Sequence, residues 1–407
     1  MNLLILCNKV PYPPDDGSSI AIYSMLEGLT EAGANVHVLA INTSRHFKPD
    51  SGIPEILRNK WNYQSVYKNT NPSLWGALWN LMFDTVPYFG SRFFFKEYCI
   101  ELQKILQRYS FDIVQLEGLF MGLYIPVIRR FTKAGISYRA HNVEHRIWER
   151  FIQNEKNFLK KIYLQIQIQR LKKFEKEIIC SVDSIIPITE SDATQIKRWL
   201  QNESWNRKCL TIPTGLVPED YIHTHSERHP IHLFFFGAME WLPNAEGVRW
   251  FRDKVFPLLK KEIPDIRWTI AGRNMPEDIK FMQDPQIIIR EKIYRKDEIF
   301  HAGNVMVVPL LSGSGLKIKI LEGMAYGKCV ITTSVGAEGI DAVHEKEFFI
   351  ADSPEAFLRC IRKLHEHPEL INKVGLNARE FVLSRYNRTE LGKKLFNYYY
   401  EFILSRP

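Results

Sequence analysis

The sequence predicts an α/β protein with two successive doubly wound, Rossmann-like parallel sheets, and three observations carry that expectation. Apolar runs of strand length alternate with segments of helical spacing along most of the chain. Glycine-bearing turns fall where several of those runs end. The alternation halts in a polar stretch that closes at Pro230 and begins afresh at Ile231. A length of 407 residues also exceeds what one hydrophobic core ordinarily serves, so two domains are expected.

Taken in order, Leu3 to Leu6 reads as the first buried strand. The opening Met1 to Cys7 is too short and too poor in basic residues for a secretion signal. Ser19 to Ala32 has apolar residues at helical spacing and stops at Gly33, and Asn35 to Ile41 is the next strand. Asn71 to Phe95 is strongly aromatic, with Trp75, Trp79, Phe83, Tyr88, Phe93 and Phe94 among its rings. These rings are expected mainly to cover a core, with acceptor or lipid contact as the alternative. Ile113 to Leu116, Ser137 to Ala140 and Ile185 to Ile188 read as further strands. Between the last two, Phe151 to Ile179 is long, helical and basic. It reads as a solvated face, with a membrane surface or polymer contact as the alternative.

The segment Ile212 to Pro218 ends this first series. The second runs through strand Ile231 to Phe236 with Gly237, helix Ala245 to Lys261, strand Arg267 to Ala271 with Gly272 and Arg273, and strand Ile287 to Ile289. Phe348 to Ala351 is its last strand. The expected organisation is therefore 1–215, a linker over 216–230, 231–384, and a final helical segment 385–407 that crosses back to the first domain.

Composition narrows the class. With 45% apolar and 25% charged residues and no low-complexity tract, the chain reads as an ordinary globular protein. No apolar run approaches about 18 residues, so no membrane-spanning helix is expected. The cytoplasm is the expected location, free or on the cytoplasmic face of the membrane. Six scattered cysteines without C-x-x-C spacing read as buried thiols, not as a disulfide frame or zinc site. Lys and Arg number 54 against 46 Asp and Glu, a net +8 that favours anionic partners. Nucleic acid is disfavoured because aromatics do not interleave with the basic helix as a stacking platform requires.

The most informative segment is Pro309 to Thr333. It reads as the end of strand Val305 to Pro309, a glycine turn Ser312 to Gly315, a helix from about Leu316 to Tyr326, and strand Cys329 to Thr333. Such a turn aims backbone N–H groups and the positive helix end at a guest, commonly a phosphate. Lys319 and Glu322, three residues apart, share a helix face. The lysine suits a diphosphate and the carboxylate suits paired sugar hydroxyls, so the pattern points to a nucleotide carrying a sugar. An ordinary surface ion pair is the plain alternative. His141, directly after a strand, either serves a sugar hydroxyl or leaving phosphate, or caps the helix beginning near Glu144. Asp16, Glu117 and Glu144 are weaker candidates for an acceptor side. No D-x-D or H-E-x-x-H motif is present, and no metal ligands are assigned.

The run Gly313 to Lys328 resembles glycosyltransferases of the GT-B fold, family 4. So do Pro11-Tyr-Pro-Pro-Asp-Asp-Gly17, His141-Asn-Val-Glu144, Ile212-Pro-Thr-Gly215, Phe236-Gly-Ala-Met-Glu-Trp-Leu-Pro-Asn244 and Gly336-Ala-Glu-Gly339. The order of these runs is the family's order. The resemblance implies two domains facing a central cleft and retaining sugar transfer from a nucleotide sugar, such as a UDP- or GDP-sugar, to a glycan or lipid-linked acceptor, without a protein-held metal. It implies that Glu322 holds the donor ribose and that Lys319 and the Ser314, Gly315 and Leu316 backbone hold the diphosphate. Gly17 serves the phosphate from the first domain, and His141 sits beside the transferred sugar. Gly237, Gly272, Arg273, Gly313 and Lys317 complete the expected donor side. Two departures stand out. Ser314 occupies the position where many members carry a glutamate, and Thr214 replaces the usual asparagine. A nucleotide-sugar epimerase or glycan phosphorylase on the same fold, and a basic binding protein without catalysis, are the competing readings.

Overall fold

The computed structural model describes residues 1–153, 155–200, 209–223, 230–291, 296–313 and 315–404. The chain divides into two compact units, Met1–Gly215 with Arg388–Pro407, and Leu216–Asn387. Among the described residues the strands form two six-stranded sheets.

In the first unit the strands are β1 (Asn2–Cys7), β2 (Asn35–Thr43), β3 (Gln64–Lys68), β4 (Ile113–Glu117), β5 (Gly135–Ala140) and β6 (Ser184–Pro187). They lie in the order β3-β2-β1-β4-β5-β6, and every pair is parallel. Leu3 is in register with Val36 on one side and Ile113 on the other. The chain winds outward from β1 and then from β4, so the direction of winding reverses between those two strands. Alternation along β1 explains why it sits at the centre. Leu3, Ile5 and Cys7 enter one core with Ile22, Met25 and Leu26, while Leu4 and Leu6 enter the other with Tyr98 and Leu102. A strand apolar on both faces is stable only with helices covering both.

Helix Arg388–Leu404 belongs to this unit, against helix Gly17–Glu31. Gly28 and Gly392 make the crossing possible, since a Cβ on Gly392 would lie 2.3 Å from the Gly28 carbonyl carbon. Arg388 pairs with Glu31 at the same crossing. Beyond it, Tyr399 is fully buried and reaches the sheet interior.

In the second unit the strands are β7 (His232–Phe236), β8 (Arg267–Ala271), β9 (Ile287–Arg290), β10 (Val305–Val308), β11 (Cys329–Thr332) and β12 (Phe349–Ile350). Their order is β12-β11-β10-β7-β8-β9, again all parallel, with the reversal between β7 and β10. The second sheet thus repeats the first in winding. These are the two successive doubly wound, Rossmann-like sheets expected from the sequence.

Several expectations need correction. The long helix over Ala245 to Lys261 is interrupted: Leu242–Trp250 passes into a wide π turn at Phe251–Val255 and continues as Phe256–Glu262. Pro257 lacks the N–H that would extend the regular ladder there. The basic helix is two helices, Glu144–Gln153 and Phe158–Ser181, and Asn157 caps the second by accepting from Lys160 N–H at 3.0 Å. The edge strand β3 escaped notice because Gln64-Ser-Val-Tyr-Lys68 lacks a buried apolar run.

The aromatic stretch does not act as one core cover. Phe95 is buried, but helix Leu74–Phe83 exposes Trp75, Trp79 and Phe83 at 83%, 67% and 66%. Its inward side carries the polar Asn80, bonded to Gln167 and to the Val86 carbonyl, so the rings turn outward. Of the cysteines, Cys7 and Cys329 are buried, but Cys180 is exposed.

Candidate active site

In the second unit the loops that follow β7 and β10 meet at the winding reversal, where doubly wound sheets place ligands. After β10 the chain runs through Gly313 and Gly315, both at positive φ (115° and 74°), into helix Ile318–Ala325. Only glycine takes those angles without strain, and the reversal they allow brings the helix N-terminus to the carboxyl end of the sheet. Lys319 leaves the first turn of this helix and donates to Asn244 Oδ1 at 2.5 Å. Its ammonium lies 4.8 Å from the Phe235 ring centroid and 5.7 Å from that of Trp241. Burial against these rings pushes its pKa down to about 7; Glu322 works against the shift and Lys317 adds to it. A lysine in this state gains its proton most readily when an anion arrives.

The loops around Lys319 are braced closely. A Cβ on Gly237 would lie 2.5 Å from Lys319 Nζ, and one on Gly272 would lie 1.9 Å from the Gly237 carbonyl oxygen. Glycine at both positions is therefore what lets the ends of β7 and β8 close around the ammonium. Trp241 stands 3.1 Å from where a Gly313 Cβ would be. Lys317, buried, donates to the Gly315 carbonyl at 2.6 Å and faces Glu338 at 3.9 Å, so it steadies the glycine loop from within. Glu322, one turn beyond Lys319, is also buried, and its charge helps hold the Tyr221 hydroxyl in its protonated form after burial itself.

The first unit gathers a second constellation at its own winding reversal. Glu117 closes β4, is 1% exposed, and receives Arg139 Nη1 at 3.4 Å. His141 Nε2 lies 2.5 Å from Glu117 Oε2, and His141 Nδ1 lies 3.3 Å from Ser18 Oγ. Burial opposes ionisation of Glu117, but the Arg139 charge and the His141 bond hold its pKa below the ordinary value. His141 is thus held at both ring nitrogens, with Nε2 on the Glu117 carboxylate and Nδ1 on the Ser18 hydroxyl. The chain of contacts continues inward: Gln115 donates to Glu117 Oε1 at 2.5 Å, and Tyr399 OH lies 2.7 Å from Gln115 Oε1 and 2.8 Å from Ser137 Oγ.

Residues 230–367 match the family model described as glycosyl transferases group 1. A protein of Klebsiella pneumoniae, described as an uncharacterized 44.6 kDa protein in a cps region, is 23% identical over 405 residues, covering 97% of this chain and 98% of the relative. The putative glycosyltransferase YtcC of Bacillus subtilis is 34% identical over 87 residues, 21% of each chain. Among solved structures, sucrose-phosphate synthase from Thermosynechococcus elongatus superposes with a TM-score of 0.69 at 16% identity, with 100% of both chains covered. The Anabaena protein HepE in complex with UDP gives 0.64 at 10% identity and the same coverage. At such identities the structural matches establish the GT-B fold.

Within the second unit, Gly237, Gly272, Gly313, Gly315, Lys317, Lys319 and Glu322 all lie in the loops and helix around the winding reversal. Ser314 lies outside the described residues. Leu316 sits in the loop before the helix, which starts at Ile318, later than expected. Arg273 is half exposed and donates to Glu240, in the loop after β7, at 2.8 Å.

In the first unit His141 does not cap the helix at Glu144. Glu175 does, accepting from Glu144 N–H at 2.8 Å and His145 N–H at 3.2 Å. Glu144 itself is pushed up to about 8 by burial and the Glu175 charge. Asp16 is engaged as the N-cap ahead of Gly17, accepting from Ser19 N–H at 2.9 Å and pairing with Lys9 at 2.8 Å. Burial opposes its ionisation, but Lys9 and the cap bring its pKa down to about 2. Space around Gly17 is open.

Asn244, Arg139, Gln115 and Tyr399 were not anticipated. An arginine inside the apolar run Ile136 to Ala140 is a readable sign of a buried pair. Tyr399 gives no local sign, because its partners lie 284 and 262 positions away.

Proposed function

We propose that this chain is a retaining family 4 glycosyltransferase. It moves a sugar from a nucleotide sugar to an acceptor hydroxyl during assembly of a cell-envelope polysaccharide, lipopolysaccharide or glycolipid, in the cytoplasm. The observation that carries the reading is Lys319, desolvated between Phe235 and Trp241 at the N-terminus of a helix within the segment that matches the group 1 glycosyl transferase model. Support for the donor class comes from the HepE complexes with UDP and UDP-glucose. The relative in a cps region and a lipopolysaccharide galactosyltransferase among the structural matches support the pathway.

In this reading Lys319 and the helix end neutralise the diphosphate, Lys317 keeps the glycine loop in shape, and Glu322 accepts from the ribose hydroxyls. The bond from the anomeric carbon to the diphosphate oxygen breaks and its electron pair leaves with that oxygen. The acceptor oxygen bonds the same face of the anomeric carbon, and its proton passes to the departing phosphate. Fixed cations stabilise the charge where it grows, so no metal is assigned to the step. His141, held by Glu117, is assigned to the transferred sugar. Gly17, with open space about it, is assigned to the phosphate.

The test is thermal stabilisation by UDP-, GDP-, ADP- and CMP-sugars, with and without EDTA, alongside Glu322→Ala and Lys319→Ala. One donor should stabilise the wild type by several degrees, survive EDTA, and lose its effect in both variants. Slow release of nucleotide should accompany it. Binding of polyanions but of no nucleotide sugar overturns the reading. Turnover of the sugar without an acceptor, or dependence on inorganic phosphate, would replace it with epimerase or phosphorylase activity.

A further inference from the structure

Helix Leu74–Phe83 is built inside out. Its ten residues, Leu-Trp-Gly-Ala-Leu-Trp-Asn-Leu-Met-Phe, contain no charge. The side that faces the protein carries Asn80, while Leu74, Trp75, Leu78, Trp79, Met82 and Phe83 are each between 52% and 87% exposed. Their positions follow i, i+1, i+4, i+5, i+8, i+9, one continuous face of a helix. Hydrophobic burial cannot be what fixes this helix in place. Polar bonds do it: Arg170 donates to the Asn80 and Leu81 carbonyls at 2.9 and 2.7 Å, and Gln167 donates to Asn80 Oδ1 at 3.2 Å.

Those anchors lie on helix Phe158–Ser181, and the stripe running back from Arg170 at four-residue spacing is Ile166, Ile162 and Phe158. They are 40%, 41% and 72% exposed, and neighbouring Leu159 is 76% exposed. The apolar face of the short helix therefore continues along the long one. The same helix and the residues just before it carry Lys156, Lys160, Lys172 and Lys173, all exposed, and Lys161; Lys160 pairs with Glu155 at 2.5 Å and lies 5.7 Å from the exposed Phe151 ring. A patch of tryptophan, leucine, methionine and phenylalanine, with exposed lysines on the helix that extends it, is complementary to one kind of surface, an apolar layer beneath anionic headgroups.

We propose that helix Leu74–Phe83, with the exposed stripe of helix Phe158–Ser181, is the face by which this protein enters the interfacial layer of an anionic lipid bilayer. Ten helical residues reach about 15 Å, half the hydrocarbon thickness, so the helix lies in the plane of the membrane and does not cross it. Among the described residues no helix is long and apolar enough to span a membrane, in keeping with attachment from one side. The inference goes beyond the transfer reaction and does not depend on it.

The experiment is flotation of the full chain with vesicles of phosphatidylcholine, alone or with one-third phosphatidylglycerol, read together with tryptophan emission and sedimentation velocity. The wild type should float with the anionic vesicles, with a blue shift in emission. Trp75→Glu with Trp79→Glu should weaken flotation at least about tenfold at unchanged melting temperature, because the rings are already outside the fold. Lys156→Gln with Lys161→Gln should weaken binding to anionic vesicles by about fivefold per charge and leave phosphatidylcholine unaffected. A wild type that floats with neither vesicle, or a double glutamate variant that floats equally well, overturns the proposal. So does a wild-type dimer that the glutamate variant dissolves, which would give the face to a second copy of the chain. No readout uses a nucleotide sugar, so this proposal and the transferase reading fail separately.

Discussion

Lys319→Met is the most searching perturbation of the proposed donor site, because it should make the empty protein more stable while abolishing the response to donor. The lysine pKa lowered to about 7 means that the fold disfavours its ammonium. The folded value lies below the unfolded one, so the destabilisation is complete below about pH 7 and fades as pH rises towards the ordinary lysine value of 10.5. At pH 7 it amounts to at most about 4 kcal/mol. Methionine keeps the apolar stem against Phe235 and Trp241 and removes the charge, but leaves Asn244 Oδ1 without its partner, at a cost of about 1–2 kcal/mol.

The net gain is roughly 2 kcal/mol, or about 4–8 °C in melting temperature for a domain of this size. Scanning calorimetry from pH 6 to pH 10 should show the variant melting higher at neutral pH and the gap closing as pH rises. Nucleotide sugar should stabilise the wild type only. A variant that melts at or below the wild type with a gap independent of pH would show that the ammonium is not desolvated. A variant that still responds to the donor would remove Lys319 from the site.

Gly237→Ala places a Cβ 2.5 Å from Lys319 Nζ and should displace that flexible end while keeping the fold, so donor affinity by calorimetric titration should fall about tenfold. Glu117→Gln leaves Arg139 buried and without its counter-charge, and urea unfolding at pH 7 should show a loss of about 3–5 kcal/mol. Because the folded pKa of Glu117 is depressed, that difference should vanish as pH falls through the carboxylate range. Gly392→Val forces a side chain into the Gly28 backbone and should cost about 3 kcal/mol, with the first unit opening to proteolysis near residue 388.

Apart from the edge strand β3, both sheets were legible because each strand is an apolar run with glycine or a polar turn behind it, and parallel strands buried on two faces have few other ways to be written. The glycine loop after β10 was legible for a similar reason. Gly313, Gly315, Lys317, Lys319 and Glu322 lie within ten positions, and helical spacing alone puts the last two on one face. The outward rings of helix Leu74–Phe83 were misjudged because a tryptophan-rich segment carries the same apolar signal whether it faces a core or solvent. Asn80, the residue that decides the matter, acts through Gln167, 87 positions away.

By itself, the sequence determined the local conformations, the doubly wound order of elements, and the chemistry of the glycine loop, all of which depend on neighbours within about a dozen residues. Tertiary structure decided which side chains would lose water. It drew Lys319 between Phe235 and Trp241, set Asn244 at its nitrogen, and joined Tyr399 to His141 through Gln115 and Glu117. Desolvation and long-range pairing depend on what the folded chain brings within a few ångströms, and that distance is unrelated to separation along the sequence.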